Sequence, residues 1–410
     1  VATPDVAILG AGAAGLFAAI RAAERGKRVV LLERNKKPGA KILMSGGTRC
    51  NITHDGSADE VARAFGKKGG RFLRPSLLAY PPSKVIEFFT EHGVPVKTEP
   101  PWGKVFPRSD RATDVLAALV ERARALGVEL RTESRVMAVK PGFTVVLEHG
   151  EVAASKVVIA TGGKSYPRAG FTGDGYGIAR AFGHTIVTPR PALVPIDLVD
   201  PLAEVSGVAL EDAKIGLAAR GGKVIAHRRG ELLFTHRGLS GPLALDLSSE
   251  LTARTSGVVR DVEGPFEVAL DLIPEVTHEQ LQGELAGKGP RAVAGVVHAL
   301  GLPRSLVQAL LRLANVPDDR TLQELRRDER TALVRVLKDL RLAVDGTLGF
   351  DKAEVTAGGV ALDEVEPATL ESKRVPGLYL IGEVLDLDGP VGGYNFQAAW
   401  STGFAAGSAV

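Results

Sequence analysis

The chain has 410 residues, with 51 basic against 48 acidic side chains, a formal net charge of +3 and a hydrophobic content of 45%. That length implies two or three domains, and so small a net charge does not by itself imply a nucleic-acid partner. The one cysteine, Cys50, excludes an internal disulfide, a CxxC redox pair and a cysteine-rich zinc site, and fits a reducing, cytoplasmic setting. No apolar run approaches the roughly eighteen residues of a membrane span, and VATPDVAILG passes straight into a strand without a secretory signal.

From the N-terminus, Asp5–Leu9 predicts a buried strand, Ala13–Arg25 a helix stopped by Gly26, and Arg28–Glu33 a second strand. Helices are expected at Ser83–His92 and Asp110–Leu126, then strands at Val128–Thr132, Val136–Lys140, Thr144–Glu148 and Lys156–Ala160. Between 61 and 74 the basic residues Arg63, Lys67, Lys68, Arg71 and Arg74 occur with no carboxylate. Two readings stand for that stretch, a solvated loop and a phosphate-contacting surface. The prolines of TPRPALVPIDL suggest a hinge or crossing segment. Short strands follow, including Lys223–His227, Glu231–Thr235 and Phe266–Leu272, then helical spacing in Leu306–Leu313 and Leu333–Leu340. Strand signals return in PGLYLIGE before a closing helix from Asn395. The pattern is a nucleotide-binding domain interrupted by an insertion, with 1–188 and 350–410 forming one discontinuous domain. A β-rich substrate subdomain is expected over 189–275 and a helical one over 276–349.

GAGAAG, Gly10 to Gly15, lies between the first strand and its helix. Gly10 allows the tight turn, Gly12 lets backbone approach a pyrophosphate, and Gly15 lets the helix pack on the strand. The helix-start amides near Ala13 and Ala14 then meet the phosphates, and Glu33 closes the second strand where a carboxylate accepts from ribose hydroxyls. FAD and NAD share this fingerprint. ATGG, with Thr161, Gly162 and Gly163, and LYLIGEVLD, with Gly382, Glu383 and Asp386, favour FAD, because both end apolar strands at turns that can reach a flavin cofactor. In GPVGGYNFQAAW, Gly392 and Gly393 let backbone approach the isoalloxazine, and the amides from Tyr394 to Phe396 face its pyrimidine edge.

These residues, with KKPGAKILMSGGTRCNIT, FTGDGYGIARAFGH, LLFTHRGLSGP and AEVTAGGV, resemble the BaiN-like, or aminoacetone-oxidase-like, flavoprotein family over essentially the whole chain. The resemblance implies an α/β fold, a two-dinucleotide-type (Rossmann-like) FAD-binding domain with an inserted β-barrel-like subdomain and a helical subdomain, and noncovalent FAD. By similarity, contacts to FAD fall on Gly10, Gly12, Ala14, Gly15, Glu33, Arg34, Lys41, Ser45, Gly46, Gly47, Val136, Thr161, Gly162, Gly382, Glu383, Gly393, Asn395 and Phe396. Where the family often has a third glycine after Ser-Gly-Gly, this chain has Thr48.

No metal cluster is expected, and GLSGP is not a nucleophile elbow. His236 and Arg237 suit proton exchange and anion holding, or they brace a loop. Tyr394 offers a phenolic donor or packs. Cys50, beside Arg49, is either a thiolate-prone acid or buried filler. No second GxGxxG occurs, so a nicotinamide donor, NAD(P)H, would dock only transiently at the flavin.

Three functions compete. The first is reduction of a conjugated C=C bond, in steroids or in uridine of ribosomal RNA, with RNA held through segments 61–74 and 226–230. The second is a small-molecule amine or ketone oxidase using oxygen. The third is a flavin-bearing binding protein. The oligomeric state is open.

Overall fold

The computed structural model describes residues 3–255 and 266–410. The chain divides into two compact units, Val1–Arg190 with Glu354–Val410, and Pro191–Ala353. In the first, strands β1 (Val6–Leu9), β2 (Val29–Leu32), β3 (Glu129–Arg131), β4 (Lys156–Ile159) and β5 (Leu378–Leu380) form a parallel sheet in the order β5-β4-β1-β2-β3. VAIL and VVLL are buried along their whole length, as strands covered on both faces require. Helix α1 (Ala13–Glu24) follows β1, and helix α2 (Tyr394–Ala409) closes the chain against it. Small residues make that packing close. A Cβ on Gly403 would lie 2.7 Å from the Ala14 carbonyl oxygen, and one on Gly407 would lie 2.6 Å from that of Ala18. The last strand and last helix of the chain therefore complete the sheet and helix layer that its first residues begin.

The basic stretch 61–74 is not a loop. It lies on two helices, Ala58–Ala64, capped by Ser57 and Glu60, and Gly66–Ala79. Phe72, Leu73, Ser76 and Leu77 are buried, while Lys67, Lys68, Arg71 and Arg74 are exposed. The proline-rich TPRPALVPIDL is largely strand, within Ile186–Ala192 and Ile196–Leu198.

In the second unit, six strands close a barrel in the order Ile196–Leu198, Gly238–Ser240, Val224–Thr235, Ala209–Ala219, Phe266–Asp271 and Leu340–Thr347. Val224–Thr235 is one twelve-residue strand where the sequence suggested two. The closing strand Leu340–Thr347 follows the helices His278–Leu285, Val293–His298, Arg304–Leu313 and Arg327–Lys338. The helices are thus an excursion between two neighbouring barrel strands, and Leu310 and Leu333 share a core with Ile215 and Leu270 of the barrel.

Candidate cofactor site

The turn from β1 to α1 assigns different work to its three glycines. A Cβ on Gly10 would lie 2.6 Å from the Ala160 carbonyl oxygen, and one on Gly15 only 1.9 Å from that of Gly10. Packing of the sheet and helix therefore demands both. A Cβ on Gly12 would meet no heavy atom within 4 Å. Nothing in the protein requires glycine there, whereas a pyrophosphate approaching the amino end of α1 does. Glu33, buried at the end of β2, accepts from Ala11 N at 3.0 Å and Asn35 N at 2.8 Å. Burial pushes its carboxyl up, against the pull of those two amides. Each oxygen keeps a second lone pair for a ribose hydroxyl.

The ends of β4 and β5 meet this turn. Gly382 sits over α1, where a Cβ would lie 2.9 Å from Ala14 Cβ, and its amide donates to Thr402 Oγ1 at 3.1 Å. Glu383 accepts from Lys41 Nζ at 2.5 Å and from Thr356 N at 2.8 Å. Lys41 also donates to Ser165 Oγ at 2.7 Å and lies 5.3 Å from the centroid of the Phe171 ring. Thr356 Oγ1 accepts from Lys164 N and Ser165 N, at 2.8 and 3.1 Å. Gly163 is glycine because a Cβ would strike Thr356 Oγ1 at 2.4 Å. Lys41 is thereby a fixed, neutralised cation, unsuited to attack as a free amine. Arg34 donates to the Gly170 carbonyl, Thr172 and Asp174, which ties β2 to the loop before Asp174–Ala181. Val136 begins the strand Val136–Lys140 of a separate three-stranded sheet, next to Arg135, whose guanidinium lies 3.6 Å from Asp174.

The late glycine turn is clamped by the segment around Cys50. Gly393 adopts φ +89°, and a Cβ would lie 2.4 Å from the Thr53 carbonyl. With its amide oriented to satisfy both ends, Asn51 accepts from Gly393 N at 3.0 Å and donates to Thr53 O at 3.0 Å. Trp400 Nε1 donates to Ile52 O, and Thr53 Oγ1 bonds to Gln397 Oε1 at 2.5 Å. The first intrahelical bond of α2 runs from Gln397 N to Gly393 O, so the amides of Tyr394, Asn395 and Phe396 precede it. The Asn395 side chain grips Gly389 through both N and O, at 2.8 Å each, so its part toward a cofactor falls to its amide. The Tyr394 ring stacks on His54, with centroids 4.6 Å apart. Gly46 and Gly47 are left-handed, as is Thr48 at φ +69°. Ser45 is spent locally on the Ile42 carbonyl.

Two candidates for chemistry change on inspection. Cys50 is fully buried, and burial pushes its thiol up to about 12, the opposite of a thiolate-prone acid. The packed surroundings outweigh any pull from nearby Arg49, whose guanidinium is engaged by Glu99 and Asp110. His236 and Arg237 form the two-residue turn between Thr235 and Gly238 of the barrel. Arg237 is bound through two nitrogens to buried Asp197 and braces that turn, while His236 is exposed. Sequence reading missed Asn51, Ser165 and Thr356. Asn51 and Thr356 lay inside quoted motifs, but nothing local marked them as the partners of Gly393 and Glu383.

A parallel sheet, an open Gly12 at a helix start, a buried acid closing β2 and a turn returned from the far end of the chain fit FAD. Gly10, Gly12, Glu33, Lys41, Glu383 and the Gly393–Phe396 turn would hold it, and it would supply hydride transfer. Fold and site define a Rossmann-type FAD-dependent oxidoreductase. The chain matches the HI0933-like protein Rossmann domain over residues 4–409 and belongs to that family. It is 38% identical over 408 residues to the ribosomal RNA dihydrouridine synthase of Escherichia coli (strain K12), covering 98% of this chain and 96% of that protein. It is 35% identical over 413 residues to the 3-dehydro-bile acid delta(4,6)-reductase of Clostridium scindens, covering 98% of each. The crystal structure of 3-ketosteroid delta1-dehydrogenase from Sterolibacterium denitrificans shares the fold, with a TM-score of 0.54 at 14% identity, covering 99% of this chain and 98% of that one. Among the described residues, no helix is long and apolar enough to cross a membrane.

Proposed function

We propose that the protein reduces a conjugated C=C bond, with uridine in ribosomal RNA as the substrate, dihydrouridine as the product and NAD(P)H as the transient donor. The observation that carries this reading is the 38% identity, over nearly the whole of both chains, to a protein named for that reaction. The exposed face of Gly66–Ala79 supports it, since Lys67 and Arg71 stand one turn apart with no ion pair to any carboxylate among the described residues. The 226–230 stretch supports it less. Arg229 is bound to Asp212 and Glu275, and Arg228 lies 3.6 Å from Glu250. A second reading, a small conjugated ketone as acceptor, is favoured by the 35% identity to the bile-acid reductase. No feature of the structure favours the oxygen-using amine or ketone oxidase.

The test is anaerobic incubation of the FAD-loaded protein and NADPH or NADH with unmodified ribosomal RNA, followed by mass spectrometry of the nucleosides. Uridine gaining two hydrogens is the expected result. Unchanged RNA alongside a reduced steroid enone in a parallel reaction would replace the first reading by the second.

A further inference from the structure

The stretch from Gly382 to Gly393 carries three carboxyl groups, and they are not equivalent. Glu383 is paired with Lys41, and Asp386 lies 3.4 Å from Lys68. Asp388 makes no hydrogen bond or ion pair with any described residue and is half-buried. Its position is nevertheless fixed. The next residue, Gly389, is held at both N and O by Asn395, and a Cβ there would meet Phe65 at 2.7 Å and Tyr394 Cβ at 3.1 Å. Asp388 is therefore anchored beside the amino end of α2, where the flavin ring is placed by the cofactor reading.

A second, independent observation marks the same place. Tyr176, only 6% exposed, carries a hydroxyl with no hydrogen-bond partner, and that hydroxyl lies within electrostatic reach of Glu383 and Asp386. Arg190, which attracts Asp388, has a buried Nε with no partner either. Unpartnered donors are costly where water is excluded, so Tyr176 and Arg190 each keep a hydrogen bond to give to something else.

We propose that Asp388 is the proton donor of the reduction, a role that rests on the reading of the protein as a reductase of a conjugated C=C bond. Bound FAD, reduced by a nicotinamide donor, supplies the hydride. The C=C π pair breaks as the hydride forms a C–H bond at the carbon β to the carbonyl, and the displaced electrons pass to the carbonyl oxygen. The pair then returns from the oxygen, restoring the C=O, and the O–H of Asp388 breaks as the enolate's C=C pair takes its proton to form the second C–H bond at the α carbon. Asp388 is left as a carboxylate and regains a proton from solvent. The surroundings suit this role: burial pushes the Asp388 carboxyl up, and Asp386 and Glu383 add to that, against the pull of Arg190. Lys68 and Lys41 are engaged by Asp386 and Glu383, which leaves Arg190 as the cation that opposes the effect.

Asp388→Asn tests the assignment in two ways. In infrared difference spectra at neutral pH, with or without FAD, the wild-type protein should show a protonated-carboxyl C=O band that D388N lacks. No such band means an ionised Asp388 and overturns the proposal. In stopped flow, D388N should be reduced by NADPH at the wild-type rate. It should then be reoxidised by unmodified ribosomal RNA, or by the steroid enone, on the order of 10²–10⁴-fold more slowly. Asp388→Glu, which keeps an acid, should recover part of the rate and stands in if D388N fails to fold. Equal reoxidation of D388N and wild type overturns the proton donor and leaves the reductase reading intact. A reduced wild-type enzyme that no C=C acceptor reoxidises overturns both.

Discussion

Gly12→Ala and Gly15→Ala, two substitutions three residues apart, separate what the cofactor demands from what the fold demands. Gly12 has φ −82° and ψ −169°, a conformation open to any L-residue, and its Cβ would meet no protein atom within 4 Å. The apoprotein should therefore keep its stability to within about 0.5 kcal/mol, or gain slightly from a stiffer unfolded chain. A methyl group between the helix start and a pyrophosphate should weaken FAD binding at least tenfold, about 1.4 kcal/mol. At Gly15 the added Cβ falls 1.9 Å from the Gly10 carbonyl oxygen, a backbone atom with no rotamer to yield. Moving α1 off the sheet should cost about 1–3 kcal/mol, as overpacking does, and lower the apoprotein melting temperature by roughly 1–6 °C. Calorimetric melting without FAD and FAD titration by flavin fluorescence give the two readouts. G12A binding FAD as tightly as wild type, or melting as early as G15A, would refute the reasoning.

Other substitutions test single elements. Thr48→Gly should raise the melting temperature, because a β-branched residue at φ +69° costs about 1–3 kcal/mol and glycine's entropy returns only about 0.5–1 of that; a lower one would show Thr48 to be unstrained. Cys50, the only thiol, should react with alkylating reagents only as the protein opens, and more slowly with FAD bound; rapid labelling of native protein would contradict its burial. The Glu364 carboxyl, held near 2 chiefly by Arg374, and buried His184, whose pKa is lowered by desolvation, both stabilise the fold above their unfolded values. Stability should fall as the pH drops below about 6.5 and again from about 4.5 toward 2, and Glu364→Gln should approach wild type at the acid end; parallel pH profiles would contradict this. Reversing Lys67 and Arg71 to glutamate should reduce the salt dependence of RNA binding by about 1.4 in log–log slope, at ~0.7 per phosphate contact; an unchanged slope would remove the helix from the interface.

What the sequence disclosed follows from how local each signal is. The glycine fingerprint was legible because the turn, the phosphate approach and the helix contact are all set within six residues. Segment 61–74 stood open between a solvated loop and a phosphate-contacting surface, because a charge run and glycines such as Gly70 do not by themselves mark a helix. Gly70 instead lets two helices touch, since a Cβ there would lie 2.2 Å from the Ala62 carbonyl oxygen. Asn51 toward Gly393 and Thr356 toward Lys164 are pairings across hundreds of residues, and no local pattern encodes them. Arg237 stood open between holding a substrate anion and bracing a loop until its partner Asp197, forty residues earlier, came beside it. Asp388 drew no notice because an aspartate in a turn is ordinary, and only its lack of a partner in the fold sets it apart.

The most direct measurement is anaerobic reoxidation of the NADPH-reduced, FAD-loaded protein by unmodified ribosomal RNA, with dihydrouridine counted against flavin oxidised. One dihydrouridine per flavin is expected, on a timescale faster than reoxidation by dissolved oxygen. A flavin that stays reduced with RNA but returns rapidly to the oxidised form in air, yielding hydrogen peroxide, would contradict the proposed reaction.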